Sequence, residues 1–252
     1  MLPMHTLKRF IRKALRKQGY DIISFPYPEG IPLGGHLFRV FSQLEINCVI
    51  DVGAHYGEYG SFLRRIGYEG WIISFEPISA NFRLLGERSG HDPRWVAHRL
   101  GLGERSGTSS INVTTNSVFS SFLPPNAFAA KKYDRQVFVE SAETVSVRRL
   151  DEIFEKVTTM VPAPRVFLKM DTQGWDMKVL DGVSGHLNQI QALQSEVSVF
   201  ALYEGMTDYL TAMQAMAGLG FVVTGLFPVE RQSDGLRSIE FDCVMVRNKA
   251  PQ

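Results

Sequence analysis

Seven short runs rich in β-branched and aromatic residues set the strongest limit on what this chain can fold into: Asn47–Val52, Trp71–Glu76, Trp95–Leu100, Val166–Asp171, Ala192–Val199, Phe221–Phe227 and Ile239–Val246. Helix-compatible stretches at Tyr59–Ile66, Ser79–Gly86, Asp176–Val183 and Thr207–Ala217 alternate with them. Strands alternating with helices over this length predict an α/β fold, a doubly wound, mostly parallel, seven-stranded sheet. The last two runs are joined by PVERQSDGLRS, which has no helical pattern and predicts an antiparallel pair at one sheet edge. With 252 residues, 44% of them hydrophobic, the chain can bury one sizeable core. Its longest apolar runs are about seven residues, against the roughly 20 that a membrane-spanning helix needs.

Residues 101–163 interrupt the alternation. Within them Ser106–Thr115 predicts a hairpin arm, and SVFSSFLPPNAFAAKKY sets aromatic and small polar residues around a Pro-Pro pair. An insertion of about 104–163 is expected, either as a lid or substrate loop or as a plain surface excursion. The chain divides into residues 1–44, a basic helix and a Pro/Gly-rich connector (Ser24–His36), and residues 45–252. The net charge of +1 hides an asymmetry. Lys8, Arg9, Arg12, Lys13, Arg16 and Lys17 meet no acid within residues 1–20, so the remainder is at −5. Leu7, Phe10, Ile11, Ala14 and Leu15 recur at helical spacing, so this basic amphipathic segment is expected either to dock on the domain or to lie on anionic lipid. No second basic patch with interleaved aromatics follows, which argues against nucleic acid as a partner. No secretory signal pattern is present, and the expected location is cytoplasmic, at most peripheral to the inner face of the membrane. Cys48 and Cys243 lie in apolar runs and are expected as buried free thiols.

The chemistry gathers at VIDVGAHYGEYG (Val49–Gly60). Gly53 and Gly57 stand at the carboxyl end of the first strand, where ligands bind in open α/β sheets. The glycine spacing, G-x3-G-x2-G, fits neither the GxGxxG of dinucleotide sites nor a phosphate-binding P-loop. Asp51 would repel a pyrophosphate and suits a ligand bearing an ammonium group, such as the methionine end of S-adenosylmethionine. Glu76, followed by Pro77, ends the next strand and can accept hydrogen bonds from both hydroxyls of a ribose. A second constellation, VFLKMDTQGWDMKVLDGV (Val166–Val183), brings Asp171 to the same edge on the strand expected beside the first, unless it serves as a helix N-cap. Lys169 alternates with Asp171 and so shares its side of the strand, placed to pair with that carboxylate or to orient substrate.

The succession VIDVGAHYGEYG, FEPISANFRLL, GLGERSGTSSINV, LKMDTQGWDMKVLDGV, SEVSVFALYEG resembles the FkbM-type methyltransferases over roughly residues 45–246. The FEP tripeptide and the Lys-x-Asp-x-x-Gly run are its most specific parts. The resemblance implies a class I Rossmann-like fold, S-adenosylmethionine as cofactor, and O-methylation of a sugar in a glycan, glycolipid or natural product. The cofactor set expected from it and from the turn is Asp51, Gly53, Ala54, His55, Tyr56, Gly57, Glu76, Pro77, Gly101, Leu102, Gly103 and Asp171. Two positions depart from the family: His55 stands where Asn is common, and Gln173 where Glu is common.

Methyl transfer from a sulfonium depends on positioning, and a hydroxyl acceptor gains on the order of 10²–10⁴ in rate from a base. The candidates are Asp171 and Glu196, then His55, with Glu204 behind them; Lys169 supports the acidic edge. No metal is expected: Asp171 occupies a ligand position of catechol-type enzymes, but no Asp-Asn partner follows. N-methylation, or methylation of a small aromatic hydroxyl in a pocket walled by Phe119, Phe122, Phe128 and Tyr133, remains an alternative, as does a non-catalytic subunit that binds S-adenosylmethionine or a nucleotide. The same rings could stack on sugars. Asp51 and the glycine spacing disfavour an NAD-dependent oxidoreductase.

Overall fold

The computed structural model describes Leu15 and residues 33–248. Apart from Leu15, the basic segment within residues 1–20 lies outside the described residues, as does the connector up to residue 32. The connector ends earlier than its composition predicts, because α1 (Leu33–Gln43) already includes Leu33–His36. Leu37, Val40 and Phe41 give α1 a buried stripe, and Gly34 lets it approach α2 (Glu58–Ile66), where a Cβ would lie 2.9 Å from Ile66. The glycine pair Gly34-Gly35 hid this helix from a reading by composition.

The first half of the main sheet follows the expected alternation. β1 (Cys48–Val52) leads through α2 to β2 (Trp71–Phe75), and α3 (Ser79–Ser89) leads to β3 (Trp95–His98). The insertion then builds a sheet of its own: β4 (Gly101–Leu102) and β5 (Gly107–Thr114) flank β6 (Val139–Arg148), with α4 (Ala127–Tyr133) in the loop between β5 and β6. Leu150, Phe154 and Val157 are buried along α5 (Leu150–Thr158), so the excursion closes at Arg148 rather than near 163. Their i, i+4, i+7 spacing, with Asp151 and Glu152 in the first turn, carries an ordinary helix signal that the length of the interruption obscured.

The second half completes the sheet with β7 (Val166–Met170), α6 (Asp176–Asp181), β8 (Ile190–Ser198), α7 (Tyr209–Gly218), β9 (Phe221–Arg231) and β10 (Ser238–Arg247). Its order is β3-β2-β1-β7-β8-β10-β9. β1 runs parallel to β2 and β7, and β7 to β8, whereas β10 is antiparallel to both β8 and β9. Every residue of β1 and β7 is buried, as expected for central strands covered on both faces. Ile50, Val52, Leu168 and Met170 pack toward α5, α6 and α7, while Val49, Phe167 and Val244 meet α1 and α2. Among the described residues no helix is long and apolar enough to cross a membrane. Cys48 and Cys243 are buried free thiols.

Candidate active site

The turn after β1 is shaped by what lies beneath it. Gly53 has φ 76°, and a Cβ there would stand 1.9 Å from the carbonyl oxygen of Asp171, so only glycine lets β1 and β7 end side by side. The amides of Gly53 and Ala54 donate to the Phe75 carbonyl at 3.1 and 3.0 Å, which ties the turn to β2. Gly57 (φ 86°) precedes α2 and packs over Trp95 and Leu85; it does not line the cavity, so its role is packing rather than ligand approach. His55 also has a positive φ, 49°. Its Nε2 lies 2.8 Å from Ser117 Oγ and its Nδ1 3.4 Å from Glu58, while its ring stacks on Tyr56. Burial, offset in part by Glu58, lowers its pKa and keeps the imidazole neutral at neutral pH. His55 therefore joins the turn to the insertion.

Glu76 is 4% exposed and accepts from the amides of His55 and Ile78, both at 2.9 Å, and from Asn81 Nδ2 at 3.4 Å. Three protein donors use three of its four lone-pair directions, leaving one for a ligand hydroxyl where the sequence reading expected two. Burial pushes its carboxyl up to about 7.

Asp51 departs furthest from expectation. It is wholly buried and absent from the cavity wall, and its Oδ1 lies 3.1 Å from Lys169 Nζ. Ser74 Oγ donates to its Oδ2 at 3.1 Å and in turn accepts from Trp95 Nε1 at 3.0 Å. A carboxylate so placed cannot touch a ligand ammonium; it holds Lys169. Lys169 Nζ also donates to the Gly53 carbonyl at 3.2 Å and lies 3.4 Å from Asp171 Oδ2. Burial alone would lower its pKa, but Asp51 and Asp171 outweigh it and raise the pKa, so the ammonium is fixed.

Lys169 and Asp171 reach a cavity of about 840 Å³ that runs from Glu76, Pro77, Gly101 and Leu102 to Glu196 and Asp242. A volume of that order takes a cofactor together with part of an acceptor. Gln173 Nε2 donates to Asp171 Oδ1 at 3.0 Å and to Glu196 Oε2 at 3.2 Å. Further along, Gln194 accepts from Tyr59 Oη at 2.7 Å and donates to Asp242 at 2.9 Å. Asp176 supports the edge from below, accepting from the Thr172 amide at 2.8 Å and from Ser195 Oγ at 2.7 Å. Gln173, Gln194, Asp176 and Asp242 were absent from the sequence-based candidates. Asp242 in particular comes from the middle of β10, which runs antiparallel to β8, so an expectation built on the carboxyl ends of strands passes over it.

The remaining candidates separate. Ala54, Tyr56, Gly101 and Leu102 line the cavity, whereas Gly103 does not; it donates to the Arg148 carbonyl and packs against Gly182. Glu204 is exposed and lies off the cavity wall. The insertion supplies Ile111, Ser117, Val118 and Phe122 to the wall. Phe119, Phe128 and Tyr133 pack instead with Leu202 and Tyr203 in a separate cluster, so they do not wall the pocket. Among the described residues no group of three His, Cys, Asp or Glu is placed to hold a metal ion.

Residues 51–223 match the family model described as "Methyltransferase FkbM domain". The chain belongs to the FkbM methyltransferase family. A curated relative, "Methyltransferase 1" from Beauveria bassiana (strain ARSEF 2860), is 25% identical over 187 residues, which cover 69% of this chain and 72% of that protein. Among solved structures, a putative O-methyltransferase from Klebsiella pneumoniae aligns with TM-score 0.48 and 10% identity, covering 98% of this chain and 93% of that one. An rRNA methylase from Streptococcus thermophilus aligns with TM-score 0.47 and 10% identity over 88% and 100% of the two chains. This FkbM chain is an S-adenosylmethionine-dependent methyltransferase of class I architecture. The residues present fit that cofactor: a buried acid with one free acceptor position, a turn opened by Gly53, and an adjoining acidic edge.

That edge gives the FkbM domain a measurable pH dependence. Burial pushes Asp242 up to about 6, above the ~3.9 of an unfolded aspartate. The folded chain therefore holds this proton more tightly, and stability falls as pH rises from about 4 to about 6, staying lower above that. Asp242→Asn is expected to stabilise the protein by about 2 kcal/mol at pH 8 and to change little at pH 4, measured by urea unfolding at the two pH values. Equal effects at both would remove the titration as the cause.

Proposed function

We propose that this methyltransferase O-methylates a hydroxyl of a sugar-bearing acceptor, as in a glycan, a glycolipid or a glycosylated natural product. The observation that supports this reading is one continuous cavity that joins the cofactor turn to Asp171, Glu196, Asp242 and Gln194. These are hydrogen-bond acceptors and an amide, the groups that bind several hydroxyls at once. S-adenosylmethionine, when bound, supplies an electrophilic methyl group. The chain's own part is to hold the acceptor hydroxyl against the Asp171–Glu196 edge and to take its proton onto one of those carboxylates as the new O–C bond forms. Lys169, fixed by Asp51, holds the Asp171 carboxyl in place. The neutral, doubly engaged His55 acts on the cofactor side.

Methyl-labelled S-adenosylmethionine offered with methyl glycosides and oligosaccharides, with catechols and phenols, and with primary amines tests this reading. A sugar methyl ether detected by mass spectrometry is the expected product. Transfer to phenols or amines with none to sugars would overturn the sugar assignment in favour of the aromatic or N-methylation alternative.

Residues 1–20, with six cations and no acid, support peripheral contact with an anionic membrane as a further part of the same reading. Each cation near such a surface contributes about 1 kcal/mol. Deleting residues 1–18 is expected to reduce partitioning onto vesicles containing phosphatidylserine by at least tenfold; unchanged partitioning returns the apolar stripe to docking on the domain.

A further inference from the structure

Gln173 occupies an unusual position between two acids. Its side-chain nitrogen carries two hydrogens and meets one carboxyl oxygen with each, Asp171 Oδ1 at 3.0 Å and Glu196 Oε2 at 3.2 Å. The carbonyl end of the same amide lies 2.7 Å from Tyr203 Oη, which is also 3.0 Å from the Phe119 carbonyl. Tyr203 is 2% exposed, so this anchor is rigid. The Gln173 backbone is held as well: φ is 54°, and Ser121 Oγ donates to its carbonyl at 2.7 Å. The side-chain amide is thus held by Asp171 after β7, Glu196 on β8 and Tyr203 in the loop after β8, while Ser121 of the insertion holds the backbone.

We propose that Gln173 is a positioning residue whose amide, anchored by Tyr203, ties the Asp171 and Glu196 carboxyl groups into a single acid–base pair facing the acceptor end of the cavity. An ionised acid at this position would add a further negative charge beside the pair and could donate to neither member. An amide donates to both and adds no charge. A donor to a carboxylate favours its charged form, so the amide opposes the burial and the neighbouring acids that hold the Glu196 proton on. The groups facing the pair are Lys169 from β7, Asp176 from α6, Glu240 and Asp242 from β10, Tyr59 from α2, His55 from the turn after β1, Tyr133 from the insertion and Tyr203 from the loop after β8. Asp51 acts on it through Lys169.

The proposal takes its catalytic meaning from the O-methylation reading, but its test needs no acceptor, so the two fail independently. In protein labelled with ¹³C at the Glu and Asp carboxyl carbons, the Glu196 signal is assigned by its loss in Glu196→Gln and followed against pH. Gln173→Met keeps the length and removes both donors; it is expected to raise the Glu196 midpoint by about one pH unit, a tenfold rise in proton affinity. Tyr203→Phe removes a single oxygen and frees the carbonyl end of the amide, and it is expected to move the midpoint the same way by a smaller amount. A role in packing alone would alter the melting temperature and leave the titration where it was. An unmoved Glu196 midpoint in folded Gln173→Met overturns the proposal. Should that variant not fold, an unmoved midpoint in Tyr203→Phe overturns it instead.

Discussion

Replacing Lys169 with Met is expected to destabilise the folded chain by about 3–5 kcal/mol, measured by urea unfolding. The side chain is 5% exposed and lies between Asp51, which is wholly buried, and Asp171. A methionine of similar length fills the space but leaves Asp51 as a buried carboxylate with one neutral donor, Ser74. Removing one member of a buried pair costs more than the pair contributes, because the remaining charge stays desolvated. The double change Asp51→Asn, Lys169→Met should therefore recover much of the loss, and the coupling between the two positions should be large. A loss below 1 kcal/mol in the single variant, or a double variant as unstable as the sum of its parts, would contradict the ion pair as the support of the turn. Asp51 was legible in the sequence as an important acid, yet its charge is spent on Lys169 rather than on a ligand.

Glu196→Gln and Asp171→Asn are each expected to lower kcat/KM by about 10²–10⁴ while the Kd for S-adenosylmethionine changes only a few-fold. Both substitutions preserve shape and leave an oxygen able to accept from Gln173. The two acids act as one unit, so the double variant should be little worse than the poorer single one. Activity near wild type in Asp171→Asn with cofactor binding retained would remove Asp171 from the catalytic pair, and the same result in Glu196→Gln would remove Glu196. Burial, followed by the Asp171 charge, raises Glu196 well above the ordinary carboxylate range. The wild-type rate should accordingly fall toward acid pH as Glu196 takes up its proton.

The main sheet could be read from the sequence because apolar runs and helical periods alternate without ambiguity from Asn47 to Leu100 and again from Val166 onward. The neighbour relation of β1 and β7, which brings Asp171 beside Gly53, followed from that alternation. What escaped was hidden by local composition or by distance along the chain. Two glycines masked α1, and a long polar hairpin masked the ordinary helix signal of α5. At or near strand ends, Glu76, Asp171 and Glu196 reach the cavity wall, as their places in the sequence led one to expect. Periodicity, however, could not tell that Asp51 points into the sheet toward Lys169, nor that Gly57 and Gly103 serve packing. Gln173 was visible as a departure from the family pattern, but the two acids and the tyrosine it joins come from positions 171, 196 and 203. Only the folded chain brings them to one amide.

The placement of β10 between β8 and β9 also sets an order on assembly. The cofactor turn rests on β1 and β2, neighbours about twenty residues apart in sequence, and local contacts of that kind form early. The Glu196 side of the cavity waits for Asp242, which pairs with Glu196 in register from a strand made almost fifty residues later. During synthesis β8 is thus an unpaired edge until β10 is made, and β9, which pairs with β10 alone in the sheet, joins the others only through that last strand.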